Sequence, residues 1–245
     1  MYNLIWTELL KLKRAKMFLV SLIGASAAPI MMFIGFQATL AEKPAERITF
    51  ESSFYNTNLY VLVLLGVLLY GIITSYLFYQ EYAEDTLKSL LTIPVSRVSL
   101  ILSKMVMLFI WILVLTLTAW GLTLILGLIG GFEDLSAQLL LRTLIQYIVG
   151  GTLLFLLSTP TIFITLIYKN YMPTMIFSAI ITMGNVALAN SKHRVLFPWS
   201  AAHSIANQEF VPDYPPLYSY VSVLGTALLG LAIVLIYFRR TDIDS

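Results

Sequence analysis

Apolar residues in this chain come in long unbroken runs separated by short polar interruptions. Six runs stand out: Met17–Leu40, Asn58–Tyr79, Val98–Ile129, Ala137–Tyr168, Met172–Ala189 and Leu217–Phe238. Each approaches or exceeds the roughly 20 residues that a helix needs to cross a bilayer core of about 30 Å. None shows the apolar–polar alternation over about ten residues that marks a barrel strand. Backbone polar groups in hydrocarbon must bond within their own segment, so the pattern predicts six helices. The third and fourth runs are longer than a bilayer requires, which predicts tilt or projection beyond it. Pro29 and Pro160 each remove a backbone donor inside a run and are expected to kink their helices. Small residues such as Gly24, Ala28, Gly66, Gly71, Gly121, Gly150, Gly151, Gly225 and Gly230 permit close packing between the helices.

Composition agrees. The 245 residues are 59% hydrophobic and 11% charged, against about 25% charged in a soluble domain. The fold class is therefore an all-α integral membrane protein, read as one transmembrane domain over residues 1–245. With no cysteine, disulfide frameworks and thiol chemistry are excluded. A net charge of +2 argues against nucleic acid as a partner. The first run is too long and starts too late for a typical cleaved signal peptide.

Basic residues set the orientation, because they collect on the cytoplasmic side. An inside N-terminus places Lys11, Lys13, Arg14, Lys16, Lys88, Arg97, Lys104, Lys169, Arg239 and Arg240 inside. Lys43, Arg47, Arg142, Lys192 and Arg194 then lie outside, so both termini are expected in the cytoplasm.

Residues 1–16 precede the first span. Tyr2, Ile5, Trp6, Leu9 and Leu12 share one helical face, and Glu8, Lys11 and Arg14 lie away from it. This predicts an amphipathic elbow helix in the inner membrane interface, with Trp6, Leu9, Lys11, Lys13 and Arg14 as its candidate residues. A basic flank that only sets topology would look similar. Outside, the loop over residues 190–216 contains Val195–Ile205, "VLFPWSAAHSI", expected to rest on the interface with Phe197 and Trp199 inserted.

The densest polar interruption is residues 80–97. As a helix from Tyr79 to Ile93, it carries Ala83, Leu87, Leu90 and Leu91 on one stripe, with Glu81, Glu84, Asp85 and Lys88 mostly opposite. Glu84 and Lys88 have favourable i, i+4 spacing. Pro94 ends the helix by pushing Ile93 out of α geometry, and Ser96 is placed to cap the third span. An ordinary solvated loop would explain the charges but would leave the leucine stripe against water.

Missing chemistry narrows the function. The chain has no P-loop motif, no H-E-x-x-H and no G-x-S-x-G. His193 and His203 are the only histidines and lie in one outer loop without a third plausible metal ligand. No acidic or basic residue sits near the middle of a span; Lys104 and Arg142 lie near span ends, where they are expected to snorkel. An ion-driven transporter generally needs such a residue. If the chain moves a solute uphill, energy must come from another polypeptide.

Glu81, Thr86-Leu87, Leu90-Leu91, Pro94, Ser96-Arg97 and Lys104, together with the opening "TELLKLKRAK" and the late "FPWS", resemble the permease subunits of type-2 ABC exporters. The opening and the size are most similar to permeases of bacterial lantibiotic and bacitracin self-protection exporters. The resemblance implies a coupling helix between spans two and three that docks on a separate ABC ATPase. Glu81, Glu84, Thr86, Leu87, Lys88, Leu90, Leu91, Pro94 and Arg97 would form it. It also implies a second permease subunit, identical or related, ATP and magnesium on the partner rather than on this chain, and an amphiphilic peptide substrate expelled outward. A non-transporting scaffold or sensor partnered with the same ATPase is the alternative.

Overall fold

A computed structural model describes residues 5–10, 16–43, 45–83 and 97–240. Residues 5–10 are helical. Nine further α-helices follow among the described residues: α1 (Lys16–Glu42), α2 (Phe50–Tyr60), α3 (Gly66–Ala83), α4 (Arg97–Ile129), α5 (Ala137–Leu156), α6 (Thr159–Tyr168), α7 (Tyr171–Leu188), α8 (Pro198–Asn207) and α9 (Leu217–Arg240). A π-helical turn, Val61–Leu65, joins α2 to α3, and a 3₁₀ turn, Lys192–Leu196, precedes α8. No strand forms among the described residues.

Among the described residues, six segments are long and apolar enough to cross a membrane: Lys16–Glu42, Phe50–Gln80, Val98–Ile129, Ala137–Tyr168, Tyr171–Leu188 and Leu217–Phe238. They coincide with the six apolar runs, with two differences. The second begins at Phe50, eight residues earlier than its apolar run. Thr49 caps that start by accepting a bond from the Ser52 amide at 3.2 Å, and Glu51 favours the positive end of the helix dipole. The fourth is interrupted between Leu156 and Thr159, where Pro160 enters the first turn of α6. Proline fits that position because the missing donor is unused there. Ser136 and Asn170 cap α5 and α7 in the same way, by accepting from the Leu139 and Met172 amides.

Helix α1 packs on α4, α3 on α7, α4 on α5, and α9 on α6 and α8. The main core gathers Ile73, Leu108, Trp111, Ile112, Leu157 and Ile162. A second core holds Phe50, Phe54, Phe132 and Tyr147, with Trp120 stacked on Phe54. Leu19, Ile23, Ile145, Met183, Leu228 and Leu229 are exposed on the outside, as expected where the surrounding solvent is hydrocarbon. Close contact relies on small residues at particular points. A Cβ added at Gly71 would fall on the Ser178 hydroxyl, which is how α3 and α7 come together. Gly121 and Gly225, by contrast, face open space.

Of the stretch Val195–Ile205, Leu196 is exposed and Phe197 half-buried, but the rest turns inward. Helix α8 is buried from Trp199 through Asn207, packed against α5 and α9. Trp199 meets the Phe177 ring edge-on and the Phe197 ring at a tilt, and is buried within the bundle. Two features permit this burial. Ala201 and Ala202 let neighbouring helices approach, and Asn207 and Ser200 find side-chain partners inside the bundle.

Candidate functional site

At the end of the bundle carrying residues 5–10, α3 stops at Ala83 and α4 begins at Arg97. Of the expected coupling residues, Glu84, Thr86, Leu87, Lys88, Leu90, Leu91 and Pro94 lie outside the described residues. Glu81 falls in the last turn of α3, and Arg97 opens α4. The frame that would carry a coupling segment is thus visible: two packed helices whose ends face the same side.

This frame is tied to the N-terminal stretch. The Lys104 ammonium donates to the Leu77 carbonyl oxygen at 2.9 Å and pairs with the Glu8 carboxylate at 3.4 Å. Their side chains are only 3% and 9% exposed. Lys104 therefore does not snorkel to water as its position near a span end suggests. Partnering with Glu8 offsets the cost of removing both charges from water. Leu77 is on α3, Lys104 on α4 and Glu8 on the N-terminal stretch, so three elements meet at one ammonium. Trp6 and Leu9 point away from the bundle, 54% and 37% exposed, while Ile5 packs on the core. The remaining expected elbow residues, Lys11, Lys13 and Arg14, lie outside the described residues.

The opposite end is held by polar contacts that the sequence pattern did not reveal. Glu133 donates its amide to the Ile48 carbonyl, and Phe50 donates to the Glu133 carbonyl, each at 3.0 Å. Exposed ion pairs join Arg47 to Glu133 at 3.4 Å and Arg142 to Glu51 at 3.3 Å. Arg142 thus does reach outward from its span end. Behind this rim, Asn185 donates to the Val63 carbonyl oxygen at 2.9 Å and accepts from the Ser200 hydroxyl at 2.8 Å. Asn58 donates to Asn207 at 3.3 Å, and the Tyr55 hydroxyl to the Glu209 carboxylate at 2.8 Å. His203 lies buried beside the Tyr55 ring. Burial lowers its pKa to about 4; Glu209 opposes the shift and Arg194 adds to it. Asparagines at span ends were the available sequence signal for this network.

His193 bonds to the Tyr214 hydroxyl at 2.9 Å, and no group of three or more metal-binding side chains forms among the described residues. The arrangement is one of six apolar spans tied together by buried polar contacts, the architecture of a multi-pass membrane protein. The ABC-2 family transporter protein model matches residues 4–185, and the chain belongs to that family. Membership implies an ABC ATPase partner and makes the chain a multi-pass cell-membrane protein. A bacitracin transport permease protein of Bacillus licheniformis, BCRB, is 54% identical over 206 residues, covering 84% of this chain and 99% of the relative.

Proposed function

We propose that the chain is the membrane subunit of an ATP-driven exporter that removes a bacitracin-type amphiphilic peptide from the membrane. The observation that carries this reading is the 54% identity to a bacitracin transport permease across 99% of that relative's length. Both termini lie in the cytoplasm in this reading, and residues 1–16 form the elbow along the inner interface. Two permease subunits, identical or related, pair with two ATPase subunits that hold ATP and magnesium. Residues Glu81, Glu84, Thr86, Leu87, Lys88, Leu90, Leu91, Pro94 and Arg97 form the coupling segment. Its leucine stripe docks on the ATPase, and Pro94 makes the turn rigid enough to pass a push into α3 and α4.

Two experiments test this. Leu87→Asp combined with Leu90→Asp should abolish co-purification of the ATPase while the chain still inserts; undiminished co-purification removes the coupling assignment. Cell-associated bacitracin should rise when the ATPase loses its catalytic residue. Equal accumulation in both strains, with resistance still dependent on the protein, would instead establish a sensor or scaffold.

A further inference from the structure

Two cavities open side by side along one face of α5. The first, of about 400 Å³, has a mixed lining whose polar side chains include Glu51, Tyr55, Arg142, Gln146, Asn207 and Glu209. The second, of about 670 Å³, is mostly apolar and includes Ile145, Val149, Leu153, Ile205, Tyr220 and Leu224. Arg142, Gln146 and Asn207 line both. The two therefore form one groove, polar at one end and apolar along the rest. Helix α8 supplies its floor, because it packs on both α5 and α9 while these two helices touch each other little. Ile145 and Leu224 are 60% and 47% exposed, so the apolar walls are open.

We infer that this groove binds one phospholipid with a primary-ammonium headgroup, of the phosphatidylethanolamine type. Length is the first reason. From Arg142 to Leu153 the helix rises about 16 Å at about 1.5 Å per residue, which is about half of a hydrocarbon core of roughly 30 Å. An acyl chain beginning at Arg142 would thus follow Ile145, Val149 and Leu153 through one leaflet.

Charge is the second reason, and it selects the headgroup. The polar end presents one arginine, Arg142, and two glutamates, Glu51 and Glu209. Arg194 reaches the Glu209 backbone oxygen at 3.5 Å but is not among the groove's lining residues. Arg142 gives one contact to Glu51, and a guanidinium has five donors, so donors remain for a phosphate. Glu209 accepts from Tyr55, and a carboxylate has about four acceptor sites. A phosphate beside Arg142 leaves both carboxylates to face the ammonium of the same headgroup. A headgroup with net negative charge would bring a further anion to an end where carboxylates already outnumber cations.

The test is native mass spectrometry of the full chain released from nanodiscs of equal phosphatidylethanolamine and phosphatidylglycerol. It is combined with a benzoylphenylalanine photocrosslinker at Val149. The expected result is one retained phosphatidylethanolamine per chain, at about tenfold preference, the factor that about 1.4 kcal/mol provides. Phospholipid adducts should form at position 149. Arg142→Gln should remove the preference, and Leu224→Trp, at an exposed apolar position, should cut retention without lowering the melting temperature. Equal retention of the two lipids overturns the inference. So does a crosslinker that captures no lipid, or one that captures added bacitracin in place of lipid. No reading depends on the ATPase or on transport.

Discussion

The side-chain amide of Asn185 sits 2.9 Å from the carbonyl oxygen of Val63, inside the π-helical turn of the second span. Ser200 completes the joint from α8. Asn185 is fully buried and Ser200 nearly so, so little water can replace the joint. Asn185→Leu keeps the branching at Cγ but withdraws both bonds. Each stranded buried group costs about 1–3 kcal/mol, and for a chain of this size each kcal/mol is roughly 2–4 °C in melting temperature. Thermal unfolding in detergent should fall by several degrees; an unchanged midpoint would show that this joint does not hold the spans together.

Gly66 closes the same turn by donating its amide to the Val61 carbonyl. A Cβ at Gly66 would fall on that oxygen, so Gly66→Ala is expected to expel the π geometry and shift the register of α3 against α2. Because π turns often mark functional sites, on the function proposed above the shift should lower peptide resistance more than it lowers expression. The two sites share one element, so the Gly66→Ala and Asn185→Leu effects on melting temperature should not add. Strict additivity would mean that they act independently.

The six spans were legible because apolar length alone decides them. The start of the second span was not. Glu51, Ser52, Ser53 and Asn56 lie outside its apolar run, yet the Thr49 cap and the Glu133 backbone bridge make them helical. The burial of α8 was also hidden, since its helical face alternates alanine with polar residues whose partners come from distant spans. Lys104 misled for a different reason. A lysine near a span end usually reaches for water, and only the folded chain brings Glu8 to it. The coupling residues rest on the leucine stripe and the family resemblance, because most of them lie outside the described structure.

The Glu8–Lys104 pair gives a sharper test than a single deletion. Lys104→Met leaves Glu8 in its buried place without that ammonium, and breaking a buried pair on one side costs about 3–5 kcal/mol. Replacing both partners, as Glu8→Gln with Lys104→Met, removes the charge mismatch. The single variant should show a marked loss of monodisperse protein in detergent, and the double variant should recover most of it. If the double variant is as poor as the single one, the Leu77 contact of Lys104 carries the effect instead.

His203 predicts a pH dependence. Burial lowers its folded pKa from 6.5 to about 4, so the folded chain keeps it neutral where the unfolded chain takes up a proton. The stability this contributes is fully present above pH about 6.5 and is lost as the pH falls toward 4; below that both states are protonated and the curve flattens. A shift of this size corresponds to about 3 kcal/mol over the whole window. Melting temperature measured from pH 7.5 down to pH 5 should therefore fall more steeply for the native chain than for His203→Gln. The comparison isolates this residue, because His193 is the only other histidine and is present in both proteins. Parallel curves would show that protonation of His203 costs the fold nothing, and that its burial beside Tyr55 leaves room for the charged ring.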